Sequence, residues 1–188
     1  DYSEKRLGKE NAEPMKQVQF TFPSPLYEKV MNLSGGADVK LYIIVVTGML
    51  MLLHKYTGNN DIMIGSPIFK QEIEGEFINT VLVFRNETAA HMSFKELLLE
   101  VRETIIEATE NQNYPLEVLL EDLNMPIIED EFPLFDTVLL FENLQDRNYF
   151  KGVNYNILFS FSRTVKDIDG VVEYNPLLYR EDTTLRIV

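Results

Sequence analysis

The sequence predicts an α/β domain, a mixed sheet with helices packed on it. Three observations lead there. Strand-like and helical segments alternate as far as residue 123, and strand-like segments then follow one another. Apolar residues make up 45% of 188, with twelve Phe and nine Tyr, enough for one sizeable core and short for two.

The elements follow in order. Residues 1–16 are polar and densely charged and read as a linker, with the folded domain spanning 17–188. "VQFTFP" (18–23) alternates as a strand does and ends at Pro23. Pro25 opens a short helix through Met31, stopped by Gly35 and Gly36. Asp38 is the N-cap expected for the apolar run that ends at Gly58, a central helix buried nearly all round, with Met49 and Met51 as core filling. "DIMIGSPI" (61–68) and residues 77–85 are strands. Ser93 and Glu96 form a capping box for a helix whose inner stripe is Leu97, Leu98, Val101, Ile105 and Ala108. Pro115 starts a short helix through Leu123. "FDTVLLFEN", "YNILFSFSR" and "GVVEYNPLLY" are further strands, the last two joined by a turn at 167–170.

Charge and composition exclude several functions. With 17 basic and 30 acidic residues the chain carries −13, which argues against nucleic acid or an anionic membrane as partner. The absence of cysteine removes disulfides, thiolate catalysis and Cys-based zinc sites, and fits a cytoplasmic protein. The first twenty residues lack the apolar segment of a signal peptide. The apolar stretch from Leu41 to Leu53, interrupted by Thr47 and Gly48, is short for a bilayer span. A chain beginning Asp1-Tyr2-Ser3 is expected to be a piece of something longer.

No complete active site can be assembled from motifs. His54 sits at a helix end, where it can interact with the dipole, and His91 lies in a polar turn. Neither has a second histidine at metal spacing or a catalytic frame, so no metal is expected and both read as capping or surface residues. The acidic runs "IIEDEF" and "LLEDL" read as solvated segments. Gly35-Gly36 has no Lys-Ser/Thr after it and is no phosphate loop.

One polar pair stands out. In "EFINTVLVFRNET" (76–88), Asn79 and Thr80 interrupt an otherwise apolar run. This stretch and its neighbours resemble the condensation domain of nonribosomal peptide synthetases. "LLHKYTGNNDIMIGSPI" (52–68) resembles LLHRYTGQEDIVVGTPI. "IEGEFINTVLVFR" (73–85) matches (I/V)GxFVNTxxxR at Gly75, Phe77, Asn79, Thr80 and Arg85. "NQNYPLEVLLEDL" (111–123) matches HQDxPFExLVExL at Gln112, Pro115 and Glu117. "FPLFDTVLLFEN" and "GVVEYNPLLY" resemble PLFQVMFVxQN and xGxxEYNTDLF, in the family's order.

The resemblance implies the C-terminal of two chloramphenicol-acetyltransferase-like lobes, with 1–16 similar to the YWxxxLxGE crossover. It implies amide formation between a donor thioester and an acceptor amine, both tethered to carriers. Gly75, Phe77, Asn79, Thr80, Gln112, Tyr114 and Pro115 would then line or shape the substrate channel. Phosphopantetheine would arrive on carrier domains, so no cofactor of its own is implied. The implied partners are an N-terminal lobe, carrier domains and an adenylation domain. The histidine motif HHxxxDG is absent, so no catalytic residue is expected in this chain, which alone should be inactive. Asn113, Leu116 and Phe69-Lys70 depart from the family pattern, as does the lack of arginine before Pro133. Two other readings are a non-catalytic docking module and a coenzyme A-dependent acyltransferase of the same fold, against which the Phe-Ile-Asn-Thr segment weighs. For Asn79 two roles stand open: facing the channel, or satisfying backbone groups.

Overall fold

A computed structural model describes residues 14–71, 77–125 and 133–188. The charged segment 1–13, Gly75 and the acidic run 129–131 lie outside the described residues.

Among the described residues, six strands form one mixed sheet: β1 (Lys16–Thr21), β2 (Asp61–Pro67), β3 (Val81–Glu87), β4 (Thr137–Phe141), β5 (Ile157–Arg163) and β6 (Ile168–Tyr174). Their order across the sheet is β1-β6-β5-β4-β2-β3. Pairs β1/β6, β5/β6 and β2/β3 are antiparallel, whereas β4 runs parallel to both β5 and β2. The predicted mixed sheet is therefore present.

The helices are α1 (Ser24–Ser34), α2 (Asp38–Thr57), α3 (Phe94–Glu110), α4 (Leu116–Asp122) and α5 (Glu181–Ile187). Side chains alternate across a strand, and the alternation sorts the core into two layers. Ile62, Ile64, Leu82, Phe84, Leu139, Phe141, Phe159 and Val172 meet α2 and α3 on one face. Val81, Val138, Leu140 and Leu158 meet Leu120, Leu134, Phe135 and Phe150 on the other. Fully burying each such side chain stabilises the fold by ~1.5–3 kcal/mol. Gly65 is required on that second face, because an added Cβ would lie 2.6–2.8 Å from the Phe135 ring.

The capping box of α3 forms as predicted: Ser93 Oγ accepts from Glu96 N–H at 3.3 Å, and Glu96 Oε2 accepts from Ser93 N–H at 2.8 Å. Leu97, Val101 and Ile105 form the buried stripe, with Leu98 and Ala108 half-buried beside it.

Other elements correct the sequence reading. The third strand begins at Val81, so Asn79 and Thr80 precede it and do not interrupt it. The connection between β5 and β6 is centred on Thr164–Asp167, with Thr164 Oγ1 accepting from Asp167 N–H, and Ile168 is already in the strand. β6 stops at Tyr174, where a turn built on Asn175 begins; Asn175 Oδ1 accepts from Leu177 N–H. α1 continues past Met31 to Ser34, and α5 has no counterpart in the sequence reading.

Ala37, not Asp38, occupies the N-cap of α2; Asp38 sits in the first turn and accepts from Arg163 Nε at 2.5 Å. Burial nearly all round holds only from Leu41 to Thr47, with Ile43 half-buried: Gly48 and Met51 are exposed, so Met51 is not core filling. With 20 residues, α2 is long and apolar enough to cross a membrane by length and composition, yet its Leu41, Val45 and Leu50 lie in the sheet core.

β2 and β4 share a single parallel bridge, Gly65 to Val138. A buried polar cluster reinforces this seam. Gln145 Nε2 donates to Ser66 Oγ (3.0 Å) and Pro67 O (2.6 Å), and its Oε1 accepts from Phe141 N–H (2.8 Å). Ser66 Oγ lies 2.7 Å from the Tyr42 hydroxyl, and burial pushes the Tyr42 phenol far above its ordinary pKa.

Candidate functional site

Asn79 gathers several of the residues singled out in the sequence. It is only 8% exposed. Its Nδ2 donates to Gln112 O and to Tyr114 O, both at 2.6 Å, and its Oδ1 accepts from Leu116 N–H at 3.1 Å. The last bond satisfies the first amide of α4, whose N-cap Pro115 offers no side-chain acceptor. One side chain thus ties the entry of β3 to the α3–α4 connection. Its partners are all backbone groups, and they lie on a distant segment.

Pro115, at φ −62° and ψ 131°, sets the direction in which α4 departs. Tyr114 is exposed, and its hydroxyl donates to Asp122 Oδ2 at 2.6 Å. That carboxylate acceptor holds the phenol above its ordinary range. Thr80 contributes its carbonyl to Ile68 N–H at 3.0 Å. Phe77 stands apart from the Asn79 bonds and makes an edge-to-face contact with Tyr149, centroids 5.7 Å apart. The structure therefore brings Asn79, Gln112, Tyr114 and Pro115 together, with Phe77 and Thr80 adjoining along the chain.

A second polar group was missed in the sequence. Side chains of Glu142, Ser160 and Glu173 share the sheet face of Leu140 and Leu158 by strand alternation. Ser160 Oγ donates to Glu142 Oε1 at 2.6 Å. Arg147, in a short 3₁₀ turn at Arg147–Phe150, donates from Nη2 to both oxygens of Glu173 at 2.5 Å. The Glu173 side chain is 7% exposed, and its hydrogen bond raises the Arg147 guanidinium further. Burial, then the Glu173 charge, pushes the Tyr155 phenol up. The available signal was the alternation of Ser160 and Ser162 with apolar residues in "ILFSFSR", and the lone Glu173 in "VVEY".

Each polar group pairs a hydroxyl with a carboxylate, Tyr114 with Asp122 and Ser160 with Glu142, and neither pair includes a histidine. His54 lies at the end of α2 with Nδ1 2.8 Å from Asn59 O, and His91 is exposed ahead of α3. Among the described residues no three His, Asp or Glu side chains are placed to hold a metal ion. The arrangement can orient and hydrogen-bond a partner.

Comparison with known proteins adds to this geometry. The Condensation domain profile matches residues 4–176. Gramicidin S synthase 2 of Aneurinibacillus migulanus is 30% identical over 190 residues, covering 90% of this chain and 4% of that protein. Bacitracin synthase 3 of Bacillus licheniformis is 31% identical over 189 residues, covering 90% of this chain and 3% of its own length. Among solved structures, a four-domain nonribosomal peptide synthetase bound to AMP and glycine superposes with a TM-score of 0.76 at 16% identity, covering 92% of this chain and 16% of that one. The starter condensation domain of rhizomide synthetase gives a TM-score of 0.68 at 15% identity, covering 95% of this chain and 45% of that one.

Proposed function

The chain belongs to the Condensation domain family, and from that premise we propose that it is the C-terminal lobe of a peptide-bond-forming condensation domain, with residues 17–188 as the lobe and 1–16 as the crossover to its N-terminal partner. The observation that carries the reading is the family match across residues 4–176, in a chain that spans under half of a solved condensation domain.

In the reaction proposed, the nitrogen of a carrier-tethered acceptor amine attacks the thioester carbon of a carrier-tethered donor. The C–N bond forms, the C–S bond breaks, and the amine proton ends on the departing thiol. This lobe supplies a wall of the channel and orients the reactants rather than moving the proton. Gly75, Phe77, Asn79, Thr80, Gln112, Tyr114 and Pro115 are assigned to that wall. Asn79 acts as a positioning residue, because its amide is committed to the backbone at Gln112, Tyr114 and Leu116. Phosphopantetheine arms come with the carriers, an adenylation domain supplies the aminoacyl group, and the assembly works in the cytoplasm.

The absence of HHxxxDG from the sequence favours one alternative, a half-domain that docks carriers without catalysis. Synthetic acyl and aminoacyl carriers separate the two. The chain alone should give no amide above background, and a separately expressed N-terminal lobe should restore product. Product from the chain alone would overturn the assignment of the base to the other lobe. Carrier binding with no rescue would establish the docking module.

A further inference from the structure

Among the described residues the sheet ends in two open edges, β1 and β3. At the first, Phe22 N–H donates to Ile168 O, the next step of the register that pairs Thr21 with Asp169. In an antiparallel ladder alternate residues turn their backbone groups toward the partner strand. Lys16, Val18 and Phe20 therefore face β6, whereas Gln17, Gln19 and Thr21 turn their N–H and C=O groups outward. Among the described residues these outward groups have no hydrogen-bond partner. At the second edge, Ile68 N–H donates to Thr80 O and Thr88 N–H to Asn60 O. The outward residues of β3 are then Val81, Val83, Arg85 and Glu87.

A free edge invites pairing with another chain, and proteins guard such edges with charge, proline or a bulge. β3 carries Arg85 and Glu87. β1 has none of these devices. Gln17 to Phe22 are uncharged in a chain of net charge −13, the register runs unbroken over six residues, and Pro23 comes only after the strand.

The side chains of β1 also suit a copy of the same strand. A twofold axis at Gln19 sets Gln17 against Thr21 and Val18 against Phe20, and no like charges meet. Lys16, the one charge on the strand, falls opposite Phe22 and is tied to Glu181 at 3.6 Å. Shifting the axis to Phe20 would set Gln17 against Pro23, which has no N–H to offer. Val18, Phe20 and Phe22 are only half-buried, so pairing would cover more of their apolar surface.

We propose that two copies of this chain pair edge to edge through β1, antiparallel about Gln19, with about six new backbone hydrogen bonds. The contact uses the same unguarded edge on both copies, so it closes at a dimer and does not grow into a fibre. A strand this short buries less than the roughly 1,200 Å² of a stable complex, so association is weak. The inference goes beyond the condensation reading and does not need it, since it rests on the edge strand alone.

The test is sedimentation equilibrium of the full chain at physiological salt, from about 10 μM to about 1 mM, with amide exchange followed at both ends of that range. Dimer should appear as concentration rises, and exchange at Gln17, Gln19 and Thr21 should slow with it. Gln19→Pro removes a donor that the single chain does not use, and Gln19→Lys sets two lysines face to face across the axis. Both should keep the wild-type circular dichroism and weaken association by about tenfold or more. A chain that stays monomeric throughout would overturn the proposal. So would a dimer whose three amides exchange as fast as in dilute solution, or one that Gln19→Lys leaves intact, since either places the contact elsewhere.

Discussion

At the scale of the residue, Asn79 shows how one amide can hold two distant segments. Replacing it by Ala leaves two carbonyls and one N–H without partners in a site with little access to water. The expected loss is about 2–4 kcal/mol, or roughly 5–15 °C in Tm for a domain of this size. A thermal melt of Asn79→Ala within a degree of wild type would mean that water replaces the side chain and that the tie is not structural. The importance of Asn79 was legible in the sequence, since a polar residue beside a buried run needs partners. The partners were not. A hydrogen bond to a carbonyl leaves no trace in the identity of the residue that owns it.

At the scale of the element, the β2–β3 hairpin carries an ion pair between Asp61 and Arg85 on its solvent side. The hydrogen bonds from Arg85 hold the Asp61 carboxyl below its usual range. A lowered folded-state pKa contributes stability that is present above the ordinary carboxylate value, about 4, and is lost as pH falls through the folded value. Asp61→Asn should therefore melt slightly below wild type at neutral pH, and the gap should close as the pH falls through the lowered folded-state value. A gap that stays constant from neutral to acid would show that the carboxylate charge is not what Arg85 holds. Elements with strong local chemistry were legible in advance: the capping box of α3, the glycine stop of α2 at Gly58, the proline opening of α1. The start of β3 was misread because Phe77 and Ile78 are apolar and extend the hydrophobic run, although Ile78 is exposed. The exposed Met51 was misread for a related reason: apolar identity on a long helix does not report which face is covered.

At the scale of the whole molecule, the sheet is two pieces joined at a narrow seam. The β2–β3 hairpin meets the β1-β6-β5-β4 block through one parallel bridge, the Ser66 hydroxyl donating to Leu139 O, the Gln145 cluster and, just past β2, the Phe69–Gln145 bridge and Lys70 N–H donating to Leu144 O. Gln145→Leu removes the partners of Pro67 O and Phe141 N–H while Tyr42 and Ser66 keep each other. The expected cost is about 2–4 kcal/mol. Amide exchange should accelerate first in β2 and β4, with β5 and β6 protected for longer. Uniform acceleration across all six strands would show that the seam is no weaker than the rest of the sheet. The fold class was legible from the order of segments, but the position of β2 beside β4 was not, because parallel neighbours distant in sequence leave no local pattern.

The pairing of β1 with β6 joins Thr21 to Asp169, 148 residues apart. As the chain emerges from the ribosome, β1 is exposed while β6, its partner in the sheet among the described residues, is still unmade. At ordinary elongation speeds that wait is on the order of ten seconds or more. Phe20 and Phe22, which pack on Phe161 in the finished sheet, spend that time uncovered. The edge of the sheet is thus the last part to close and, in a crowded cell, the part with the longest need of protection.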